Sequence, residues 1–124
     1  MPRKLTPKPQ PKPRKERPAS PGRPPATLTH AQRRHLRGLG HPLAALVQVG
    51  KDGITDGVVL GIREALIDHE LVKVKLNQNC ELDKEDAERE LPERVGAALV
   101  QSVGRTFLLY APHPTDPRIV LPSE

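Results

Sequence analysis

Aromatic residues are almost absent. Phe107 and Tyr110 are the only ones of their kind in 124 residues, and tryptophan is missing. A sheet that stacks several nucleobases on exposed rings is therefore excluded. Cysteine occurs once, at Cys80, so no disulfide can close within the chain and no Cys-based metal centre can form. Nothing near Cys80 resembles an activating base, which leaves an inert thiol in a reducing compartment. No apolar run is long enough for a helix to span a membrane. The N-terminus is cationic but lacks the apolar core of a secretory signal, so the cytoplasm is the expected location. His30 and His35 stand five apart and do not share a helix face. The acids of residues 81–93 lack the Asp/Asn/Gly spacing of a calcium loop. No metal, cofactor or enzymatic activity is expected.

What is present is charge, and it is sorted. Residues 1–27 hold nine prolines and eight Lys/Arg against one acid, Glu16. Such a segment buries too little apolar surface to offset its chain entropy, and a disordered, basic, Pro-rich tail is expected. Residues 28–124 hold 12 basic and 14 acidic residues, enough chain for one small core and a net charge of −2. Seven of those acids fall between Glu81 and Glu93, whereas Arg33, Arg34 and Arg37 cluster near the start. A basic tail on a polarised body suggests a polyanionic partner, with RNA, DNA and anionic lipid all open on charge alone.

The hydropathy pattern predicts helix, strand, helix, strand, helix, strand, strand. Thr29 is a candidate N-cap, with Leu28 as its staple, for a helix from His30 to about Leu39. Leu36 and Leu39 are expected on its buried face, and the three arginines on a solvated or binding face. Leu46–Val49 is a short strand. Thr55 caps a second helix reaching about His69, where His69-Glu70 is expected to act as a C-terminal cap. Leu71–Leu76 alternates, so Val72, Val74 and Leu76 point one way and Lys73 and Lys75 the other. These two strands and their crossover helix form a βαβ unit, hence a parallel pair. Asp83 opens a third helix to about Val95, which Pro92 is expected to kink or split. Ala98–Val103 and Thr106–Tyr110 form a hairpin with Gly104-Arg105 as a type II′ turn. Arg118–Leu121 is a candidate edge segment. The fold class is a small α/β sandwich with a four-stranded mixed sheet.

Gly50-Lys51-Asp52-Gly53 lies between the first strand and the second helix. Glycines let the chain turn tightly and a phosphate approach, and the amides of a helix start face such an anion. Lys51 adds a mobile cation. The same four residues also suit an ordinary turn. Asp52 opposes an anion unless its side chain turns away.

The run Leu28-Thr-His-Ala-Gln-Arg-Arg-His-Leu-Arg-Gly-Leu-Gly-His-Pro42 resembles the opening of the YhbY-like proteins, the bacterial single-domain CRM family. The likeness continues through Val47–Gly57, His69–Lys75 and Val103–Tyr110, and covers nearly all of residues 28–121. It implies an RNA-binding domain with a fold like the C-terminal domain of translation initiation factor three. It also implies association with ribosomal RNA of large-subunit precursors, the pre-50S particle. The family's GxxG loop maps onto Gly50, Lys51, Asp52 and Gly53, and its basic surface onto Arg33, Arg34, Arg37, Lys73, Lys75 and Arg105. Ala111 departs from relatives that commonly carry a basic residue there, which would thin the positive surface. A monomer is the default. The alternative is a protein–protein adaptor whose acidic third helix docks a basic ribosomal protein.

Overall fold

The structure, a computed structural model, describes residues 20–123. The expected disordered tail falls largely outside them. Its described part, residues 20–27, has no helix or strand, yet it is tied to the domain. The Gly22 N–H donates to the Pro112 carbonyl at 2.7 Å.

The elements follow the expected order: α1 (His30–Gly40), β1 (Ala45–Val49), α2 (Asp56–His69), β2 (Leu71–Leu76), α3 (Lys84–Val95), β3 (Ala98–Val103) and β4 (Thr106–Tyr110). The strands form one mixed sheet in the order β1-β2-β4-β3. β1 and β2 are parallel, with Val49 beside Leu76, and β4 runs antiparallel to both β2 and β3. At the β3–β4 turn Gly104 has φ +58° and Arg105 does not have positive φ, as a type II′ turn requires.

Two apolar layers hold helices to opposite faces of the sheet. On one face Val49, Val72, Val74, Leu76, Phe107 and Leu109 pack with Ile62 and Leu66 of α2 and with Ala87, Leu91 and Val95 of α3. On the other, Leu71, Val100, Leu108 and Tyr110 pack with Leu28 and with Leu36 of α1. The period-2 alternation of β2 and β4 divides their side chains between these layers. Each large apolar side chain so buried contributes about 1.5–3 kcal/mol.

α1 starts as expected. Gln32 N–H donates to Thr29 Oγ1 and Thr29 N–H to Gln32 Oε1, both at 3.0 Å, a reciprocal capping box. Its buried face differs: Leu36 is fully buried but Leu39 is 42% exposed. Gly40, four residues after Leu36, takes the sheet-facing position instead. A Cβ there would lie 2.6 Å from Leu108 Cδ2, so a side chain at this position would have to displace Leu108.

Two other expectations are corrected. α3 is one continuous helix across Pro92. The proline sits in its last turn, and its carbonyl accepts from both Gly96 N–H at 2.9 Å and Ala97 N–H at 3.0 Å, closing the helix end. Arg118–Leu121 forms no strand. The N–H groups of Arg118 and Ile119 donate to the Glu70 carboxylate instead.

Candidate nucleic-acid interface

The carboxyl ends of β1 and β2 and the β3–β4 turn meet at one end of the sheet, because Lys75 pairs in register with both Gln48 and Thr106. The Gly50–Gly53 loop leaves the sheet here. Gly53 N–H donates to the Gly50 carbonyl at 3.0 Å, and Thr55 N–H to the Gly53 carbonyl at 3.0 Å. Gly53 has φ +75°, a conformation that favours glycine. Lys51 and Asp52 are exposed at the tip.

α2 begins only at Asp56. Thr55 Oγ1 accepts from Val58 N–H at 3.1 Å, and Asp56 places a carboxylate in the first turn. One orphan amide is therefore satisfied and the positive helix end is partly neutralised. Ile54 and Thr55 join the loop to the helix start, and the Thr55 cap and the Asp56 carboxylate occupy part of the helix end that the sequence reading offered to an anion.

Arg94 of α3 fastens this junction. Its guanidinium donates to the Ile54 carbonyl at 2.5 Å and to Asp56 Oδ1 at 3.0 Å, and it also meets Glu90 at 3.4 Å. Sequence reasoning missed Arg94. Its only local signal is the Glu90 spacing, which says nothing of a partner about forty residues away.

Three of the expected cations hold backbone carbonyls of the protein itself. Arg33 Nη1 donates to Leu99 O at 2.8 Å and Val100 O at 2.9 Å, where the β3–β4 register shifts. Lys73 Nζ donates to Leu43 O at 2.9 Å and His41 O at 3.3 Å, pinning the α1–β1 connection. Arg105 Nη2 donates to Cys80 O at 2.7 Å and Asn77 O at 3.3 Å. These groups still contribute to the local field but are anchored. Arg34, Lys51 and Lys75 are exposed, and Arg37 is half-buried.

α1 covers only part of its face of the sheet. Toward the Gly50–Gly53 end that face is bare, forming an open concavity of about 450 Å³ lined by His41, Lys73, Gln101, Val103, Thr106 and Leu108. No Asp or Glu occurs in residues 28–51, 71–80 or 97–111, the segments that supply α1, its connection and all four strands. The acids of α3 lie on the opposite side, several of them paired within the helix: Asp86 with Arg89, Glu88 with Lys84 and Glu90 with Arg94. Ala111 belongs to the α2–α3 core and is fully buried, so its lack of charge takes nothing from the basic surface.

Tyr110 is buried in the α1 layer. That burial, and secondarily the Glu70 carboxylate, raise its phenol above the usual tyrosine range. Among the described residues no three His, Cys, Asp or Glu side chains are grouped to hold a metal ion, and no helix is long and apolar enough to cross a membrane.

Residues 28–111 match the CRS1 / YhbY (CRM) domain. The chain is 42% identical over 95 residues to the Bacillus subtilis protein named "Probable RNA-binding protein YqeI", a match covering 77% of this chain and 99% of that one. It is 36% identical over 98 residues to a Haemophilus influenzae protein named "RNA-binding protein", covering 79% and 98% respectively. The solution structure of the hypothetical protein SAV1595 from Staphylococcus aureus superimposes with a TM-score of 0.65 at 34% identity, over 77% of this chain and all of that one. A match over most of the chain, with the same small mixed-sheet architecture, makes this protein a member of the CRS1/YhbY (CRM) domain family.

Proposed function

We propose that this protein binds structured RNA, and that its target is ribosomal RNA of large-subunit precursors during assembly of the 50S particle in the cytoplasm. The observation that carries the reading is a face free of acids from α1 across the bare half of the sheet as far as Lys51, at the edge of the loop that carries Asp52. Phosphates meet the loop amides and Lys51, while Arg34, Arg37 and Lys75 follow the backbone electrostatically. Arg33, Lys73 and Arg105 hold the loops in place and add to the field. The names of the Bacillus and Haemophilus relatives support RNA as the polyanion. With two aromatic residues in the chain, recognition rests on shape and 2′-hydroxyl contacts rather than on stacked bases. Residues 1–27, with eight Lys/Arg against one acid, add a basic tether that raises local concentration.

The test is competition between structured ribosomal RNA and duplex DNA of equal charge, with wild-type protein and with Gly50→Asp/Gly53→Asp. Preference for the RNA, lost severalfold or more in the variant, is expected. Equal affinity in the folded variant removes the loop from the mechanism. Equal affinity for RNA and DNA removes RNA selectivity.

A further inference from the structure

Glu70 is the one charged residue that is buried among the described residues, at 3% exposure. It ends α2 with φ +66°, the only positive φ outside glycine among them. Two local rules argue against a glutamate here. Glycine or asparagine suits that backbone better, and a carboxylate opposes the negative end of the helix. What compensates is long-range. The carboxylate accepts from His113 N–H at 2.7 Å, from Arg118 N–H at 3.0 Å to both oxygens, and from Ile119 N–H at 2.8 Å. The Glu70 carbonyl accepts from Ala111 N–H at 3.0 Å. One residue thus ties down the chain that follows β4, a strap over residues 112–122 with four prolines and no helix or strand.

The strap continues to α1. Ile119 and Leu121 pack against the cluster containing Leu36. The Pro122 carbonyl accepts from Gln32 Nε2 at 2.9 Å, while Oε1 of the same side chain closes the capping box of α1. α1 is therefore seated from two sides, by the sheet and by a strap whose other end is fixed at Glu70.

We propose that Glu70 is a positioning residue for the nucleic-acid face: it latches the strap, and the strap sets α1 so that Arg34 and Arg37 are aligned with the Gly50–Gly53 loop. This rests on the RNA-binding reading above.

The test uses the full chain and a structured fragment of large-subunit ribosomal RNA. Glu70→Gln keeps the size of the side chain but turns an amide N–H toward the strap amides. Ile119→Ala loosens the strap at a distance from the αL turn and serves if Glu70→Gln does not fold. Each variant is expected to speed hydrogen exchange at Arg118 and to weaken RNA binding about fivefold or more. In an Arg34→Ala/Arg37→Ala background the same change is expected to have no further effect on affinity, because there is nothing left to align. A simple loss of folded protein would lower affinity equally in both backgrounds, and that result overturns the latch. So does wild-type affinity in folded Glu70→Gln. Wild-type protein that binds no ribosomal RNA overturns the functional reading itself, and hydrogen exchange at Arg118 then still reports whether Glu70 holds the strap.

Discussion

The two faces of the sheet are built differently. The α2–α3 face carries the larger core, with Phe107, Leu91 and Val95 fully buried, and its outer surface is acidic with charges paired along α3. The α1 face has one helix, a strap and a bare half, and no acid in the segments that form its strands and helix. One face secures the fold. The other leaves strand surface uncovered, and its cations include Arg33 and Lys73, which hold backbone carbonyls of the protein itself. The contrast teaches that a near-neutral domain can present a strongly signed surface when α-helices of different composition are sorted by topology.

Charge changes on the two faces break the comparison most sharply. Arg34→Glu, Arg37→Glu and Lys75→Glu together are expected to weaken RNA binding by more than about tenfold and to lower the salt slope of log K by about 2–3. Glu85→Gln and Glu93→Gln on α3 are expected to leave binding within about twofold. Filter binding from low to moderate salt measures both. Equal losses from the two faces would mean that α3 also contacts RNA.

Core truncations come next. Leu91→Ala is expected to cost about 2–5 kcal/mol in chemical denaturation. Leu36→Ala is expected to cost a similar amount but also to loosen α1, so its hydrogen-exchange loss should concentrate in His30–Gly40. Uniform loss across the chain would deny the two layers their separate identity.

Arg94→Met is expected to cost about 1–2 kcal/mol, since it removes charged hydrogen bonds at a partly exposed site. Its amide shifts should centre on Ile54–Gly57. In the opposite direction, Gly61→Ala is expected to stabilise by about 0.5–1 kcal/mol. Gly61 lies inside α2, and nothing approaches within 4 Å of the added Cβ.

The smallest effect is alkaline. Tyr110 has a raised folded pKa, so above the ordinary tyrosine value of about 10 the unfolded chain loses its proton first. The unfolded state then binds fewer protons, and stability falls as pH rises through that range. Tyr110→Phe is expected to flatten this fall in melts from pH 9 to about 11.

Much of the fold was legible because its signals are local. Thr29, Thr55 and Gly96 mark helix ends by cap chemistry, and the alternation of Leu71–Leu76 sorts two faces whatever lies above them. Parallel pairing of β1 and β2 followed from the length of the crossover. Pro92 misled because a proline in the last turn removes a bond from a helix already closing. Leu39 misled because the sheet accepts Gly40 at the closest point, a fact about Leu108 on another strand.

The chain's composition and periodicity by themselves determined the element order, the sheet, the basic start and acidic third helix, and the presence of a GxxG turn. Only the tertiary structure decided which cations are anchored and which stand exposed, that Arg94 secures the loop, and that Glu70 ties the C-terminal strap to α1. The physical reason is range. Capping and alternation act within a few residues, whereas a guanidinium or a buried carboxylate takes whichever carbonyls or amides the packed chain brings to it from dozens of residues away.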